Sequence, residues 1–390
     1  MENKKTSIMV ILPVMFGFFV MGFVDIIGMT INYVSADFTN LSASVVSLLA
    51  SSCFIWFLIA SIPTGLLMNR IGRKKTVLLS FLVQILAFLL VFIKYDYITT
   101  LIAFSLLGIG NTILQVAMNP LVSDVVPGDK LTGTLTIGQL VKAVCSLTGP
   151  IFVSWFASAT FGDWKVIFPV YALITLLGFI WLMLTKVEEE KIENSDTTTF
   201  ATSLRLFSDK YILAFFIGIL VLVGADVGVN TCFPKYLQDT CGLDLNEAAL
   251  GNSVYFFTRT VGALIGGILL MKVSESKFFN ISVIVALVGL AGLIVFRGYW
   301  SSMIFVSVFG LGYSNLFAII FSMALKRRPD RVNDVSALLV MGVAGGGVLP
   351  PIMGLITQTT GNQWSAILVI AIVWLYLFAL MGRIKNVSTK

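Results

Sequence analysis

The chain contains no histidine and few charged residues of any kind. Of its 390 residues only 12% are charged and 57% are hydrophobic, whereas soluble domains carry about 25% charged residues. Because histidine is the commonest metal ligand and the usual side chain that titrates near neutral pH, any proton chemistry must depend on carboxylates. The four cysteines form no CxxC pair, so they indicate no thiol metal site. We therefore expect no metal, no cofactor, and lipid as the main solvent.

Long hydrophobic runs occupy most of the chain. A helix that crosses a bilayer needs about 20 apolar residues, and such runs recur between Gly, Pro and charged residues along the whole sequence. Their length and spacing predict an all-α membrane protein of twelve transmembrane helices. The predicted spans are 8–34, 44–69, 76–94, 99–125, 132–158, 165–185, 211–235, 247–271, 277–296, 299–325, 333–358 and 363–383.

Basic residues collect on one side of these spans. Of the 26 Lys and Arg residues, Lys94, Lys165, Lys235 and Arg297 lie in loops of the opposite side and two lie inside spans. The other 20 share the side of both termini. The positive-inside rule places that side in the cytoplasm, which requires an even number of spans. The net charge of +6 thus indicates orientation in an inner (cytoplasmic) membrane, and not binding of nucleic acid.

One polar stretch, residues 187–210, divides the spans into two sets of six. We predict a bundle over 1–186, a cytoplasmic linker over 187–210 and a bundle over 211–390. The halves share weak repeats: Gly65-Leu-Leu-Met resembles Gly267-Ile-Leu-Leu, and Leu107-Gly-Ile-Gly resembles Phe309-Gly-Leu-Gly. Transporters with repeated halves related by an axis along the membrane normal bind substrate at the interface of the halves.

The loop after the second span reads Gly65-Leu-Leu-Met-Asn69-Arg70-Ile-Gly72-Arg73-Lys-Lys. It resembles the signature loop of the major facilitator superfamily, Gly-x-x-x-Asp-Arg-x-Gly-Arg-Arg/Lys. A glycine at the first position allows close helix packing, and the second glycine permits a tight turn. Asn69 replaces the usual Asp, so a charge-assisted contact becomes a neutral hydrogen bond. The resemblance implies the major facilitator fold of two pseudo-symmetric six-helix bundles, with this loop as a gate.

Four charged residues lie deep inside predicted spans: Asp25, Lys142, Asp226 and Arg259. Facing lipid, each would cost about 2.5–3.5 kcal/mol at the bilayer centre, so each is expected to meet a partner or a water-filled cavity. One interpretation is structural ion pairing between helices. The other is that Asp25 or Asp226 binds a proton or another cation during transport.

Several strings resemble a narrower family, the fucose/proton symporter group of hexose transporters. The resemblance extends over both halves and rests on Asp25 together with these strings: Leu114-Gln115-Val-Ala-Met-Asn119-Pro120, Gly224-Ala-Asp226-Val-Gly, Phe256-Phe-Thr-Arg259-Thr-Val-Gly262 and Val340-Met-Gly-Val-Ala-Gly345-Gly-Gly347. It implies that Asp25 is the proton-linked carboxylate and that Gln115, Gln139 and Arg259 contact substrate.

Two positions depart from that family. Gln115 stands where the fucose transporters have Glu, so we expect Asp25 to act alone or with Asp226 and not in a two-carboxylate relay. Lys142 stands where the family usually has Asn. A lysine beside Asp25 would favour the ionised carboxylate and could replace a coupling cation when the site is empty.

A sugar requires amides for its hydroxyl groups and aromatic faces for its C–H groups. Predicted core spans supply candidates, including Asn119, Asn230, Tyr255 and Asn315. We expect a monomeric symporter, not an enzyme, that imports a hexose or deoxyhexose with a proton or sodium. Two alternatives remain: transport of a sugar acid or other organic carboxylate held by Lys142 and Arg259, and a receptor that does not transport.

Overall fold

The predicted spans are helical in the computed structural model, which describes residues 8–26, 30, 33–34, 37–39, 41, 43–157, 162–189, 199–243, 245–270 and 272–384. The first half contains α1 (Ile8–Met21), α2 (Ala43–Ile59), α3 (Ser61–Ile71), α4 (Arg73–Ile93), α5 (Tyr97–Val125), α6 (Leu131–Ala157), α7 (Ile167–Leu184) and the short α8 (Phe200–Leu204). The second contains α9 (Lys210–Cys241), α10 (Leu245–Leu269), α11 (Glu275–Val295), α12 (Tyr299–Tyr313), α13 (Leu316–Arg327), α14 (Val332–Met341), α15 (Gly345–Thr360) and α16 (Trp364–Ile384).

Most of these helices satisfy the length and hydropathy of a membrane span. Among the described residues, nine helical segments do so alone, and the pair Ser51–Ile59 and Ser61–Ile71, bent by 56°, makes a tenth. The other two predicted spans, 132–158 and 247–271, correspond to α6 and α10, which are 27 and 25 residues long. The all-α, multi-pass membrane architecture is confirmed, and the count of twelve crossings stays a prediction.

The chain packs as two compact units. Unit 1 comprises Met1–Leu131, Val141–Arg205 and Arg328–Met341, and unit 2 comprises Thr132–Leu140, Leu206–Arg327 and Gly342–Lys390. Two segments are therefore grouped with the other half of the sequence: the start of α6 belongs to unit 2, and the whole of α14 belongs to unit 1. The predicted bundle boundaries divide the sequence into halves and not into these two units, so they stay a prediction. Residues 190–198 of the predicted linker lie outside the described part of the chain.

Helix ends follow local hydrogen-bonding rules. The side chain of Asp96 accepts a hydrogen bond from the Thr99 amide at 2.9 Å and so begins α5, as expected for an Asp at a helix N-terminus. The Thr99 amide, and after it the Lys94 ammonium, lowers the pKa of the exposed Asp96 carboxyl to about 2.

The first turn of α4 is closed by a residue far away in the sequence. The Glu189 carboxylate accepts hydrogen bonds from the backbone amides of Arg73 at 2.6 Å and Lys74 at 2.8 Å. A carboxylate at this position satisfies amides that lack helical partners and stabilises the helix dipole. Gly72 allows Glu189 to approach these amides, because the backbone there has a φ of 91° and a ψ of 164°, a region populated almost only by glycine.

Replacement of Gly72 by alanine should therefore destabilise the protein. A Cβ atom there would lie 2.7 Å from Glu189 Oε2, and the backbone conformation alone costs about 1–3 kcal/mol for a residue with a side chain. We expect Gly72→Ala to lower the thermal unfolding midpoint in detergent. The matched control is Gly128→Ala, since no atom lies within 4 Å of a Cβ at Gly128. Equal midpoints for the two variants would contradict this account of the turn.

Candidate functional site

The gating loop forms a buried polar network within unit 1. Arg73 pairs with Asp124 of α5 and donates from Nε to Asn333 Oδ1 of α14 at 2.8 Å. Asn333 in turn donates from Nδ2 to Asn69 Oδ1 at 2.7 Å. The neutral Asn69 contact expected from the sequence is therefore present, and its partner is a second amide.

The remaining loop residues differ in their surroundings. Gly65 permits close packing of α3 against α14, since a Cβ there would lie 2.8 Å from Ala337 Cβ. Arg73 is buried, whereas Arg70 is exposed. The glycine and Arg73 thus fix the loop to α14, and Arg70 faces outward.

Unit 2 contains a counterpart of this network with the charges reversed. Glu275 of α11 pairs with Lys326 of α13, and each lies 202 residues after its counterpart in the Arg73–Asp124 pair. The Glu275 carboxylate also accepts a hydrogen bond from the Thr132 hydroxyl at the start of α6. The weak sequence repeat therefore extends to two ion pairs, the buried Arg73–Asp124 pair and the half-buried Glu275–Lys326 pair.

Asp25 lies in a 3-10 turn, Gly22–Ile26, that follows α1. The Ser146 hydroxyl of α6 donates a hydrogen bond to its carboxylate. Gly22 brings the turn onto α6, because a Cβ there would lie 2.8 Å from Cys145 Cβ and 2.9 Å from the Lys142 carbonyl oxygen. Asp25 itself is exposed, so it combines a fixed partner with access for water or an ion.

Lys142 is not the ion-pair partner of Asp25. Its backbone oxygen lies 2.9 Å from the Ser146 hydroxyl, but no ion pair joins the side chains of Lys142 and Asp25 in the described part of the chain. Lys142 is half-buried. The expected direct pairing is therefore replaced by an arrangement in which Ser146 contacts both residues.

A row of amides runs along α5 at intervals of four residues. Asn111 donates to the Met21 carbonyl at 2.9 Å and accepts from Gln115 Nε2 at 2.8 Å. Asn119 donates to the Gln115 carbonyl at 3.0 Å. All three side chains are buried, at 0%, 6% and 2% exposure in the order 111, 115 and 119, and their bonds to one another hold the row in one orientation.

In unit 2, Asp226 of α9 and Arg259 of α10 form an ion pair. Arg259 Nη1 lies 2.8 Å from Oδ1 and 2.7 Å from Oδ2 of Asp226. The Tyr255 hydroxyl donates to Oδ1 at 2.6 Å, and the Arg259 guanidinium lies 4.8 Å from the centre of the Tyr313 ring. The structural-pair interpretation is thus realised for these two charges, and the resulting cluster carries no net charge.

The tyrosines of this cluster belong to an aromatic group. Tyr255 and Phe309 stack with ring centres 5.9 Å apart, and Phe309 meets Trp374 at 5.1 Å. Tyr255 and Tyr313 are 0% and 3% exposed. The group supports the two hydroxyl-bearing rings from behind and limits their rotation.

Other predicted substrate contacts lie in different surroundings. Asn230 is half-buried, and its carbonyl accepts a hydrogen bond from Asn252 Nδ2 at 2.8 Å. Gln139 is half-buried in the part of α6 that belongs to unit 2. Asn315 is buried and donates to the Gly262 carbonyl at 3.0 Å, and it fills the space that a Cβ at Gly266 would need. Asn315 therefore packs α10 against the break between α12 and α13.

Several contributors escaped the sequence analysis. Ser146, Asn333 and Glu189 carry no signal in a single sequence, because each meets a partner that is 121, 260 or 116 residues away. Asp124 could have been found, since a carboxylate near the end of a predicted span has the same rarity as the four charges already identified.

Comparison with known proteins places these features in a family. The family model described as Major Facilitator Superfamily matches residues 14–337 and 221–386. A glucose/galactose transporter of Brucella abortus is 27% identical over 358 residues, covering 86% of this chain and 85% of its own. A hexuronate transporter of Bacillus subtilis is 24% identical over 403 residues, covering 92% and 90%. The crystal structure of the fucose:proton symporter of E. coli superposes with a TM-score of 0.85 at 19% identity, covering 97% of this chain and 99% of that one. The chain therefore belongs to the major facilitator superfamily, whose members are transporters and not enzymes.

Proposed function

We propose that the protein is a symporter that imports a neutral hexose or deoxyhexose together with a proton by alternating access. Its similarity to a glucose/galactose transporter over 86% of the chain supports the substrate class. A fold shared with a fucose:proton symporter is compatible with symport. In this proposal the chain is a monomer in a cytoplasmic membrane, with both termini in the cytoplasm.

The main support for a neutral substrate is the charge-neutral cluster of Asp226 and Arg259 in unit 2. Asp226 engages Arg259 through both carboxylate oxygens, so the arginine is not available as an uncompensated cation for an anionic substrate. The Arg259 side chain is still 25% exposed, whereas the rings of Tyr255 and Tyr313 are buried. A guanidinium that is already neutralised can donate hydrogen bonds to the hydroxyl groups of a sugar without requiring a charge on it.

Asp25 is the proposed coupling residue. It is exposed, accepts one hydrogen bond from Ser146, and belongs to no ion pair among the described residues. A carboxylate in this situation can take up and release a proton without leaving a basic partner buried and unpaired. Asp226 cannot do so, because its protonation would break the pair with Arg259.

A proton fits the Asp25 site better than sodium does. A metal cation would need several oxygen ligands at once, whereas the described contacts supply the carboxylate and one hydroxyl. Lys142 lies one helical turn before Ser146, and its positive charge disfavours a bound proton and a bound sodium ion alike, so the number of oxygen ligands decides between them. We expect the gating loop and its charge-reversed counterpart to rearrange during alternating access.

One observation favours the alternative of an anionic substrate. Lys142 meets no carboxylate in the described part of the chain, and a hexuronate transporter is among the relatives. A carboxylate on the substrate could pair with this lysine. The choice between the two substrate classes is therefore a question about Lys142 alone, since Arg259 is already neutralised.

Competition for uptake should distinguish the two classes. In proteoliposomes with an inward proton gradient, we expect glucose, galactose or fucose to compete with a labelled hexose, and glucuronate to compete weakly. Uptake confined to glucuronate would overturn the neutral-sugar proposal. Binding of sugars without flux in any condition would indicate a receptor instead.

Replacement of Asp25 by asparagine should separate coupling from transport. Asp25→Asn cannot be deprotonated, so we expect concentrative uptake to fall to background while exchange of labelled for unlabelled sugar continues. Asp129→Asn is the control, because Asp129 is also an exposed aspartate but lies in a loop. Accumulation by Asp25→Asn in response to a pH gradient would show that another residue couples transport.

The Asp226–Arg259 pair should behave as one unit. We expect Asp226→Asn and Arg259→Gln each to destabilise the protein by about 1–3 kcal/mol, since each leaves a charged group without its partner. The double variant should lose less than the sum, with a coupling of at least about 1 kcal/mol. Thermal unfolding in detergent, with sugar binding by the same samples, measures both effects. Strict additivity would mean that the two side chains act independently.

A further inference from the structure

A groove with a volume of about 420 Å³ lies beside the start of α9, away from the clusters described above. Its lining residues are Lys210, Tyr211, Leu213, Ala214, Ile217 and Tyr376. Ile217 precedes Asp226 by nine residues, which corresponds to about 14 Å along a helix. The groove is therefore a separate site from the Asp226–Arg259 cluster, although it belongs to the same unit.

The groove is lined by apolar side chains along its length and by a basic residue at one end. Leu213, Ala214 and Ile217 line just over one turn of α9, and Leu213 is 38% exposed. The Tyr376 hydroxyl is already used, because it donates to the Ala214 carbonyl at 3.0 Å. A polar substrate such as a sugar would find few hydrogen-bonding groups here, whereas a hydrocarbon chain would find apolar contacts along its length.

Positive charge is concentrated at the first turn of α9. Asp209 is occupied twice: it accepts from the Tyr211 amide at 2.9 Å and lies 3.5 Å from Arg327 Nε. The Arg327 guanidinium also covers the Tyr211 ring at 4.5 Å. Lys210 is exposed and has no carboxylate partner in the described part of the chain. The mouth of the groove therefore presents an uncompensated ammonium beside an aromatic ring.

We propose that this groove binds one anionic phospholipid. The acyl chain lies along Leu213, Ala214 and Ile217, and the phosphate meets Lys210. The position fits this ligand, because α9 begins at the basic side of the membrane, where anionic head groups attract Lys and Arg and where tyrosine is favoured. The positive charge of Lys210 favours an anionic lipid over a neutral one. The apolar lining of the groove favours a lipid over a free phosphate.

Native mass spectrometry of the full-length protein tests the site. The detergent-solubilised protein is titrated with dioleoyl phosphatidylglycerol, dioleoyl phosphatidylcholine, or glycerol phosphate without acyl chains. We expect retention of the anionic lipid above that of the zwitterionic one, and no retention of glycerol phosphate. Lys210→Gln should weaken binding of the anionic lipid about fivefold, the effect of one basic residue near a charged head group.

Two further variants make the result specific. Lys277→Gln removes another exposed lysine at the start of a helix and should leave retention unchanged, and Leu213→Trp should fill the groove and reduce it. Thermal unfolding midpoints verify that each variant is folded. Equal retention of both lipids, an equal loss for the two lysine variants, or retention of glycerol phosphate alone would each overturn the proposal.

Discussion

Charge pairing within a hydrophobic medium is the constraint on which this structure depends. An isolated charge in the bilayer centre costs about 2.5–3.5 kcal/mol or more, and the loss is larger when a partner is removed from an existing pair. Among the described residues, Asp226–Arg259 meets this constraint inside the predicted spans, and Arg73–Asp124 and Glu275–Lys326 pair charges near helix ends. Each joins two different helices, so the same contacts that neutralise charge also determine which helices are neighbours.

The two pairs near the basic helix ends show how an internal repeat can survive the loss of sequence similarity. Both occupy the same place in their halves, 202 residues apart, but the positive and negative members have exchanged positions. Pairing requires opposite signs and is indifferent to which helix carries which sign. Each pair also recruits a residue from the start of a helix of the other half, Asn333 in one case and Thr132 in the other. That recruitment explains why the starts of α14 and α6 pack with the units that they join.

Helices and charges could be predicted from the sequence because both have local causes. Hydrophobic runs predicted the long helices that the structure describes, and the rarity of charge in those runs identified Asp226 and Arg259. Contacts over long sequence distances could not be predicted. The partner of Asp25 is Ser146, one helical turn beyond Lys142 on α6, and the 3-10 turn at Gly22–Ile26 brings Asp25 to it. The sequence also gives no sign that the amide of Asn315, a predicted substrate contact, bonds to the Gly262 backbone.

The distribution of paired charge differs between the two units. In unit 2 the inner charges are bound to one another, so a proton there would have to break an ion pair. In unit 1 Asp25 has a hydroxyl partner and access to solvent, and Lys142 supplies a nearby positive charge without a direct pair. Protonation of Asp25 changes the net charge of its surroundings, whereas the Asp226–Arg259 cluster stays neutral throughout. In the proposed symport mechanism, protonation would therefore change the charge of the Asp25 region and leave the Asp226–Arg259 pair intact.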